Sequence, residues 1–368
     1  MEVIIAIKTT SLSFDERLVK EIGTLRSIND ININLFIAED QPSSGEIDGV
    51  TIHRINSRID KLGLWGSKIF VLCSLGLAIL KHKIDKRRGM IWLHDPITMF
   101  FLPICYLKTK RIIWDLHEMP PNVFLHFGIF KQVFRFLCMI PKNIVVANHE
   151  RGEVLRELGL ISKFTVIENY PSVDQTFDEN FSDPEFDKWA KDKSFAYCQS
   201  ATHPSRNFYA LAESCVRAGQ FLMVVGEKNH VYDQVRQKLP DFDKYINVIG
   251  KRPSKLLPYY FKNAKFSFVF YSDENLNNFY CAPNRLYHSL NFGIPVIVGS
   301  NPPMKKIVES QHCGIVLKSF GDSISDNING IKAMNQNYHE IKRNAERVAG
   351  SFVWQSQDAI IKGVLNTH

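Results

Sequence analysis

The stretch that decides the fold reads Ala282-Pro283-Asn284-Arg285-Leu286-Tyr287-His288 and continues Ser289-Leu290-Asn291-Phe292-Gly293-Ile294-Pro295-Val296-Ile297-Val298. Pro and Asn open a helix, Gly closes it, and an apolar strand follows. A second strand candidate, Phe266 to Tyr271, lies just upstream, so the segment reads as strand, helix, strand. A helix that starts just beyond a parallel strand points N–H groups without intrahelical partners at the ligand side, a place to hold a diphosphate. Arg285, in its first turn, adds charge-assisted hydrogen bonds there. An ordinary capped crossover helix with a solvent-facing Arg has the same local pattern.

Outward from this segment, short apolar runs alternate with helical patterns in both directions, as parallel sheets with crossover helices require. Strands are expected at 3–7, 33–38, 50–55, 90–93, 111–114, 144–147 and 164–167, then at 195–198, 221–225, 246–249, 266–271, 295–298 and 315–317. In the first half, helices are expected to start near Asp15, Trp65, Pro96, His126 and His149. Between the two series the chain turns polar and acidic after Asn169-Tyr170-Pro171, through Asp174, Asp178, Glu179, Asp183, Glu185 and Asp187, and loses apolar period. The organisation that follows is α/β: a first Rossmann-like domain over 1–172, a linker over 173–193 and a second over 194–350. A last helix, over 351–368, carries the apolar face Trp354, Ile360, Ile361 and Val364. Two doubly wound domains facing across a cleft place their ligand at the carboxyl ends of the strands.

At 368 residues the chain suits two domains, and with 45% apolar and 23% charged residues it has neither a disordered nor a collagenous composition. The net charge of +7 is local: about ten Lys and Arg between Lys61 and Arg111 stand against Asp85 and Asp95, and the remainder is near neutral. An anionic surface or ligand is the expected partner. Nucleic acid is not, because no recognisable binding module accompanies the charge. Seven cysteines without CxxC spacing, most of them in apolar runs, read as buried thiols of a reducing compartment and imply neither a disulfide framework nor a zinc site. MEVIIAIKTT enters a strand-like run with no basic leader, so a cytoplasmic protein is expected. The apolar stretch from Leu62 to Leu80, followed by KHKIDKRR, reads as a buried or membrane-surface helix before a transmembrane one.

The best-known nucleotide and metal signatures, Walker A, GxGxxG and HExxH, are missing. Asp241-Phe242-Asp243 has the form of a metal-chelating DxD but falls between a helical stretch and a strand, away from the ligand side, and reads as a solvated turn. No metal and no cofactor are therefore expected.

With these residues in place, the 282–298 block resembles the donor-binding region of glycosyltransferases of the GT-B fold, above all the family 4 type of bacterial surface polysaccharide biosynthesis, which often read PNKxYExxxxGxPVI. Further pieces are similar in order and spacing. Phe14-Asp15-Glu16-Arg17-Leu18 with Thr24-Leu25 resembles the DxRV…TL opening, His94-Asp95 a strand-end HD, and Trp114-Asp115-Leu116-His117-Glu118 a DxHE segment. Asn169-Tyr170-Pro171 resembles the NxP before the linker, and Phe352-Val353-Trp354 the aromatic opening of a last helix that crosses back to the first domain. Two glutamates seven residues apart, near donor sugar and ribose in that family, correspond here to Tyr280 and His288. A neutral imidazole accepts one hydrogen bond where a carboxylate accepts two from a ribose diol, so donor binding is rearranged and retention of configuration is no longer implied.

What the resemblance implies is a glycosyltransferase of hexosyltransferase type, moving a sugar from a nucleotide sugar to a lipid-linked or oligosaccharide acceptor. Without a metal, the leaving diphosphate must be stabilised by fixed dipoles and cations. Arg206 and Asn207, at the end of the 200–207 loop, Ser272, Tyr280, Asn284, Arg285 and His288 are the expected donor contacts, with Lys251-Arg252 in reserve. His117, Asp115, Glu118 and Asp95 are the expected catalytic residues: His117 to bond the donor sugar, a carboxylate to orient it or to deprotonate an acceptor hydroxyl. Val123 to Ile140, with five phenylalanines beside Lys131 and Arg135, joins the 62–88 stretch as a surface for an anionic membrane, on its inner face. A sugar-nucleotide epimerase of the same fold and a degenerate, non-catalytic scaffold are the competing readings.

Overall fold

The computed structural model describes residues 1–12, 15–41, 44–55, 63–172 and 181–366, without the side chains of 63–69 and of Ser254. Phe14, Leu62 and the acidic residues 174–179 of the expected linker lie outside these. The chain forms two compact units, Met1–Glu168 with Ser356–His368, and Asn169–Gln355.

The first unit is built on β1 (Glu2–Thr9), β2 (Asn32–Glu39), β3 (Val50–Ile55), β4 (Met90–His94), β5 (Ile112–Leu116), β6 (Asn143–Val146) and β7 (Thr165–Val166). They pair in the order β3-β2-β1-β4-β5-β6-β7, every pair parallel. Strands buried on both faces must be apolar throughout, and β4 and β5 are buried along their whole length, with Trp92 and Trp114 fully enclosed. The closing helix Asp358–Asn366 belongs to this unit: Ile361, Val364 and Leu365 are buried, Arg111 donates to the Leu365 carbonyl, and Thr24 Oγ1 donates to Asp358. Ile360, expected on the same apolar face, is 36% exposed.

The second unit holds β8 (Phe195–Gln199), β9 (Phe221–Val225), β10 (Ile246–Ile249), β11 (Phe266–Val269), β12 (Val296–Val298) and β13 (Gly314–Val316), in the parallel order β10-β9-β8-β11-β12-β13. The expected helix runs from Asn284 to Asn291, and Gly293 after it has φ +64, the left-handed geometry that a glycine meets without strain. Part of the expected linker is ordered: Asp183 caps a helix over Pro184–Ala190 whose Phe186 is buried among Phe195, Trp189 and Tyr260. Among its acidic residues stand two aromatic anchors, Phe186 and Trp189, too few for a period to show.

Chain order reverses between β1 and β4 in the first sheet and between β8 and β11 in the second. Crossovers leave in opposite directions at such a point and open a crevice beyond the carboxyl ends of the strands. The expected donor residues follow β8 and β11; of the expected catalytic residues Asp95 follows β4, while Asp115, His117 and Glu118 lie at the end of its neighbour β5. The cysteines depart in part from expectation, since Cys73 is exposed and Cys281 half-buried while the other five are buried.

Candidate functional site

In the first unit the residues after β4 and on β5 converge with the helix Glu16–Arg26 that follows β1. Arg17, 4% exposed, donates through Nη2 to Asp115 Oδ2 at 2.9 Å and through Nη1 to the Ile167 carbonyl at 2.8 Å, and its Nε lies 2.9 Å from Glu21 Oε1. His94 lies between the two carboxylates, Nε2 3.5 Å from Glu21 and Nδ1 3.8 Å from Asp115. His117 Nε2 is 2.8 Å from Asp95 Oδ1, and its Nδ1 is 3.6 Å from Asp115 Oδ1. Asp115 is fully enclosed; His117 and Asp95 form the accessible edge, at 20% and 16%. Glu118 is exposed and joins no described member of this cluster.

Asp95 has φ 68 and ψ 152, a backbone conformation that costs a non-glycine residue energy. Its amide donates to the Asp115 carbonyl at 2.9 Å, and its own carbonyl accepts from the Trp114 indole at 3.1 Å and from Thr98 Oγ1 at 2.8 Å. The β4–β5 ladder and the buried indole thus impose a strained turn that aims Asp95 at His117.

Burial opposes every charge here, and the neighbours decide the outcome. Burial raises the Glu21 carboxyl well above the usual range, Asp115 adds to this and Arg17 opposes it. For Asp115 the penalty of burial is outweighed by Arg17 and then His117, which hold its carboxyl well below the usual range. Burial takes His94 down to about 4. Burial pulls His117 down too, but Asp95 and Asp115 outweigh it and raise the imidazole well above its ordinary value.

His94, Asp115 and His117 bring ligand atoms within 4.8 Å of one another, the spacing of a metal site. The donor chemistry fits a cation poorly: Arg17 already sits on the shared carboxylate, and Asp95 already serves His117. Asp243 of the formal DxD makes an ion pair with Arg236 at 2.8 Å.

In the second unit, the loop after β8 carries Arg206 and the chain after β11 carries Tyr271. The Arg206 guanidinium carbon lies 3.2 Å from the Tyr271 ring centroid and that of Arg285 4.4 Å from it, so two cations share one aromatic ring. Arg285, buried on the helix Asn284–Asn291, donates to the carbonyls of Gln199 and Phe270, one at the end of each switch-point strand. Arg206 Nε and Nη1 are buried without a hydrogen-bond partner, and among the described residues neither arginine has a carboxylate partner. Burial, then repulsion from Arg285, bring Arg206 down to about 10; burial and the same two cations lower His203.

Other expected donor contacts sit differently. Ser272 Oγ lies 3.1 Å from Glu274 and accepts from Asn278 Nδ2 at 3.3 Å. Asn207 has φ 54 and donates to the Phe320 carbonyl at 3.1 Å, which makes it a turn residue of the Arg206 loop. Asn284 is the first helical residue after Pro283; His288, one turn on, is buried with its ring edge against Phe261; Tyr280 packs against Phe279. Lys251 and Arg252 are engaged elsewhere, with Glu227 at 2.9 Å and with Tyr260 Oη at 3.0 Å. Arg17, Glu21 and Tyr271 were not singled out from the sequence as site residues; the DxRV-like opening held a signal for Arg17, but nothing local marks Glu21 or Tyr271.

Among the described residues the large exposed apolar side chains lie nearly all in the first unit. Phe127, Ile129, Phe130, Val133, Phe136 and Met139 project from the 122–139 region, whereas Leu125, Phe134 and Leu137 turn into the core. A separate groove of about 550 Å³ is lined by apolar side chains including Leu72, Leu77, Leu80, Phe100 and Ile104. Exposed Lys81 ends the helix Gly63–Lys81 that forms one wall, and exposed Lys83, Lys86, Arg87 and Arg88 follow it. No helix among the described residues is long and apolar enough to cross a membrane.

Residues 220–353 match the family model of the glucosyltransferase 3-like C-terminal domain. No curated protein matches the chain in sequence. Among solved structures, sucrose-phosphate synthase of Thermosynechococcus elongatus is similar over 99% of this chain and 98% of its own, with a TM-score of 0.72 at 10% identity. HepE of Anabaena in complex with UDP-glucose matches over the full length of both, with 0.70 at 12%. WaaG, a glycosyltransferase involved in lipopolysaccharide biosynthesis, matches over 98% of this chain and 100% of its own, with 0.68 at 12%. The fold is therefore that of the GT-B glycosyltransferases over the whole chain, as the order of its motifs implied.

Proposed function

We propose that this protein is a metal-independent hexosyltransferase that takes its sugar from a nucleoside diphosphate sugar and delivers it to a lipid-linked or oligosaccharide acceptor in surface polysaccharide biosynthesis. The observation that carries the reading is the Arg206–Tyr271–Arg285 stack at the switch point of the second sheet. Two guanidiniums brought together without a carboxylate repel each other, and Arg206 loses hydration on burial without gaining a partner for Nε and Nη1. A protein keeps such an arrangement when a ligand supplies the negative charge, and a diphosphate presents the planar oxygen pairs that guanidinium recognises. The same two charges are placed to stabilise the diphosphate as it leaves. That HepE was solved with UDP-glucose on the same fold supports a nucleotide sugar as the source of that diphosphate.

The first unit supplies the acceptor side in this reading. Asp95 and His117 form the polar edge for the acceptor hydroxyl, and the apolar groove followed by basic residues suits a hydrocarbon chain beside an anionic head group. The exposed apolar residues of 127–139, interspersed with Lys131 and Arg135, suit peripheral association with the inner face of a membrane.

The test is calorimetric titration with UDP-, GDP-, CMP- and dTDP-sugars. One nucleotide family should bind, and Arg206→Ala and Arg285→Ala should weaken it. Binding that both variants leave intact moves the donor elsewhere, and silence toward all four sinks the enzyme reading in favour of a scaffold. If the bound nucleotide sugar is converted to its epimer with no acceptor present, and not hydrolysed to free sugar and nucleoside diphosphate, the protein is an epimerase.

A further inference from the structure

The loop over 200–207 carries Arg206 to the Tyr271 ring without a glycine. Ser200 at φ 55 and Asn207 at φ 54 both hold left-handed backbone, which costs a non-glycine residue energy. Ties on every side keep the loop in this shape. The Thr202 carbonyl accepts from Asn229 Nδ2 at 3.2 Å, the Ser205 carbonyl accepts from the Ser272 amide at 3.0 Å, and Asn207 Nδ2 donates to the Phe320 carbonyl at 3.1 Å. Between these ties the single turn Pro204–Arg206 bears the guanidinium, and His203 closes its start. The Ser205 amide donates to His203 Nδ1 at 3.3 Å, Ser205 Oγ lies 2.9 Å from the same nitrogen, and the Arg206 amide donates to the His203 carbonyl at 3.0 Å.

We propose that His203 is a positioning residue of the anion site, an uncharged cap that holds the Pro204–Arg206 turn through Nδ1 so that Arg206 stands on Tyr271. This role rests on the diphosphate reading of the Arg206–Tyr271–Arg285 stack. A ring nitrogen that accepts an amide proton carries none itself, so the imidazole is neutral with its proton on Nε2. Burial, then Arg206 and Arg285, lower the imidazole, in agreement with that state. The side chains that usually cap a helical turn are those of Ser, Thr, Asp and Asn. An aspartate here would place a carboxylate in the turn that bears Arg206 and supply from within the counter-charge that neither arginine has among the described residues. Histidine gives the turn its acceptor and leaves the two cations to an incoming anion.

The experiment compares His203→Ala, His203→Asn and His203→Asp in the full chain; His203 is exposed, so none of them opens a core cavity. Hydrogen exchange over 200–207, followed by mass spectrometry without ligand, reads the cap. Exchange should quicken about fivefold in His203→Ala, the worth of one cap, and return to the parent rate in His203→Asn and His203→Asp, whose side-chain oxygen accepts the same amide. Calorimetric titration with inorganic pyrophosphate, the group that nucleoside diphosphates share, reads the site. Affinity should fall about fivefold in His203→Ala and recover in His203→Asn. In His203→Asp it should fall about tenfold or more although the cap is intact, because the new carboxylate pairs with Arg206. That split between exchange and affinity is one that a merely structural histidine would not produce. Exchange that His203→Ala leaves unmoved overturns the cap. A His203→Asn variant that binds as weakly as His203→Ala overturns the positioning role and makes the ring itself a ligand, and a His203→Asp variant that binds like the parent overturns the need for a neutral cap. A parent that does not bind pyrophosphate overturns the diphosphate reading instead, and exchange, which needs no ligand, tells that failure from a failed cap.

Discussion

Arg17 and Arg206 are both largely buried arginines near the carboxyl edge of a parallel sheet, yet their surroundings are opposite. Arg17 meets Asp115, Glu21 and a backbone carbonyl, and its proton is held more tightly than usual. Arg206 meets an aromatic ring and a second arginine, has no carboxylate partner among the described residues, and is pulled down to about 10. A buried cation whose counter-charge comes from the chain serves the fold. One whose counter-charge is missing serves whatever brings it. The first unit meets its buried cation with its own carboxylates, whereas in the second two arginines share a ring with no carboxylate partner among the described residues.

The largest effect that tests this contrast is on stability. Arg17→Ala leaves Asp115 buried without its counter-charge and should cost about 3–5 kcal/mol in a denaturant titration. An unshifted midpoint would show that Asp115 is balanced by something else and erase the difference between the two arginines. Arg206→Ala should do the reverse. Nucleotide affinity should fall about 10- to 100-fold, the worth of a charge-assisted hydrogen bond, while stability without nucleotide stays level or rises. Arg252→Ala, which removes a cation already bound to Tyr260 and near Asp183, is the control and should leave nucleotide affinity alone. The smallest effect concerns the surface that distinguishes the units. Phe136→Ser should reduce cosedimentation with anionic vesicles by several-fold, for a loss of about 1 kcal/mol, and salt should release the unaltered protein. A variant that pellets as well as the parent returns the 127–139 face to some other partner.

Much of the fold was legible because doubly buried parallel strands must be written as apolar runs, and helix ends as Pro, Asn and Gly. The 282–298 segment shows this, with its helix at Asn284–Asn291 and Gly293 in the left-handed region. The helix at Pro184–Ala190 was missed because only Phe186 and Trp189, among acidic residues, anchor it. The site was legible only in pieces. Arg285 and Arg206 stand 79 positions apart in sequence and share Tyr271, and no local pattern records such a meeting. Asn207 stood beside Arg206 among the expected donor contacts and Arg252 stood in reserve, but their side chains are taken up by Phe320 and Tyr260.

Side-chain period and turn chemistry act over a few residues, so the sequence by itself determined two α/β halves, their strands, and which loops reach the carboxyl edge. Tertiary structure decided which charges are balanced. Whether a guanidinium is a strut or a receptor depends on what the other loops and helices bring within about 4 Å, where Coulomb energies outrun solvent screening. Arg17 received Asp115 across the sheet edge beside Glu21 of its own helix, Arg206 received another arginine, and His117 received a carboxylate near each nitrogen.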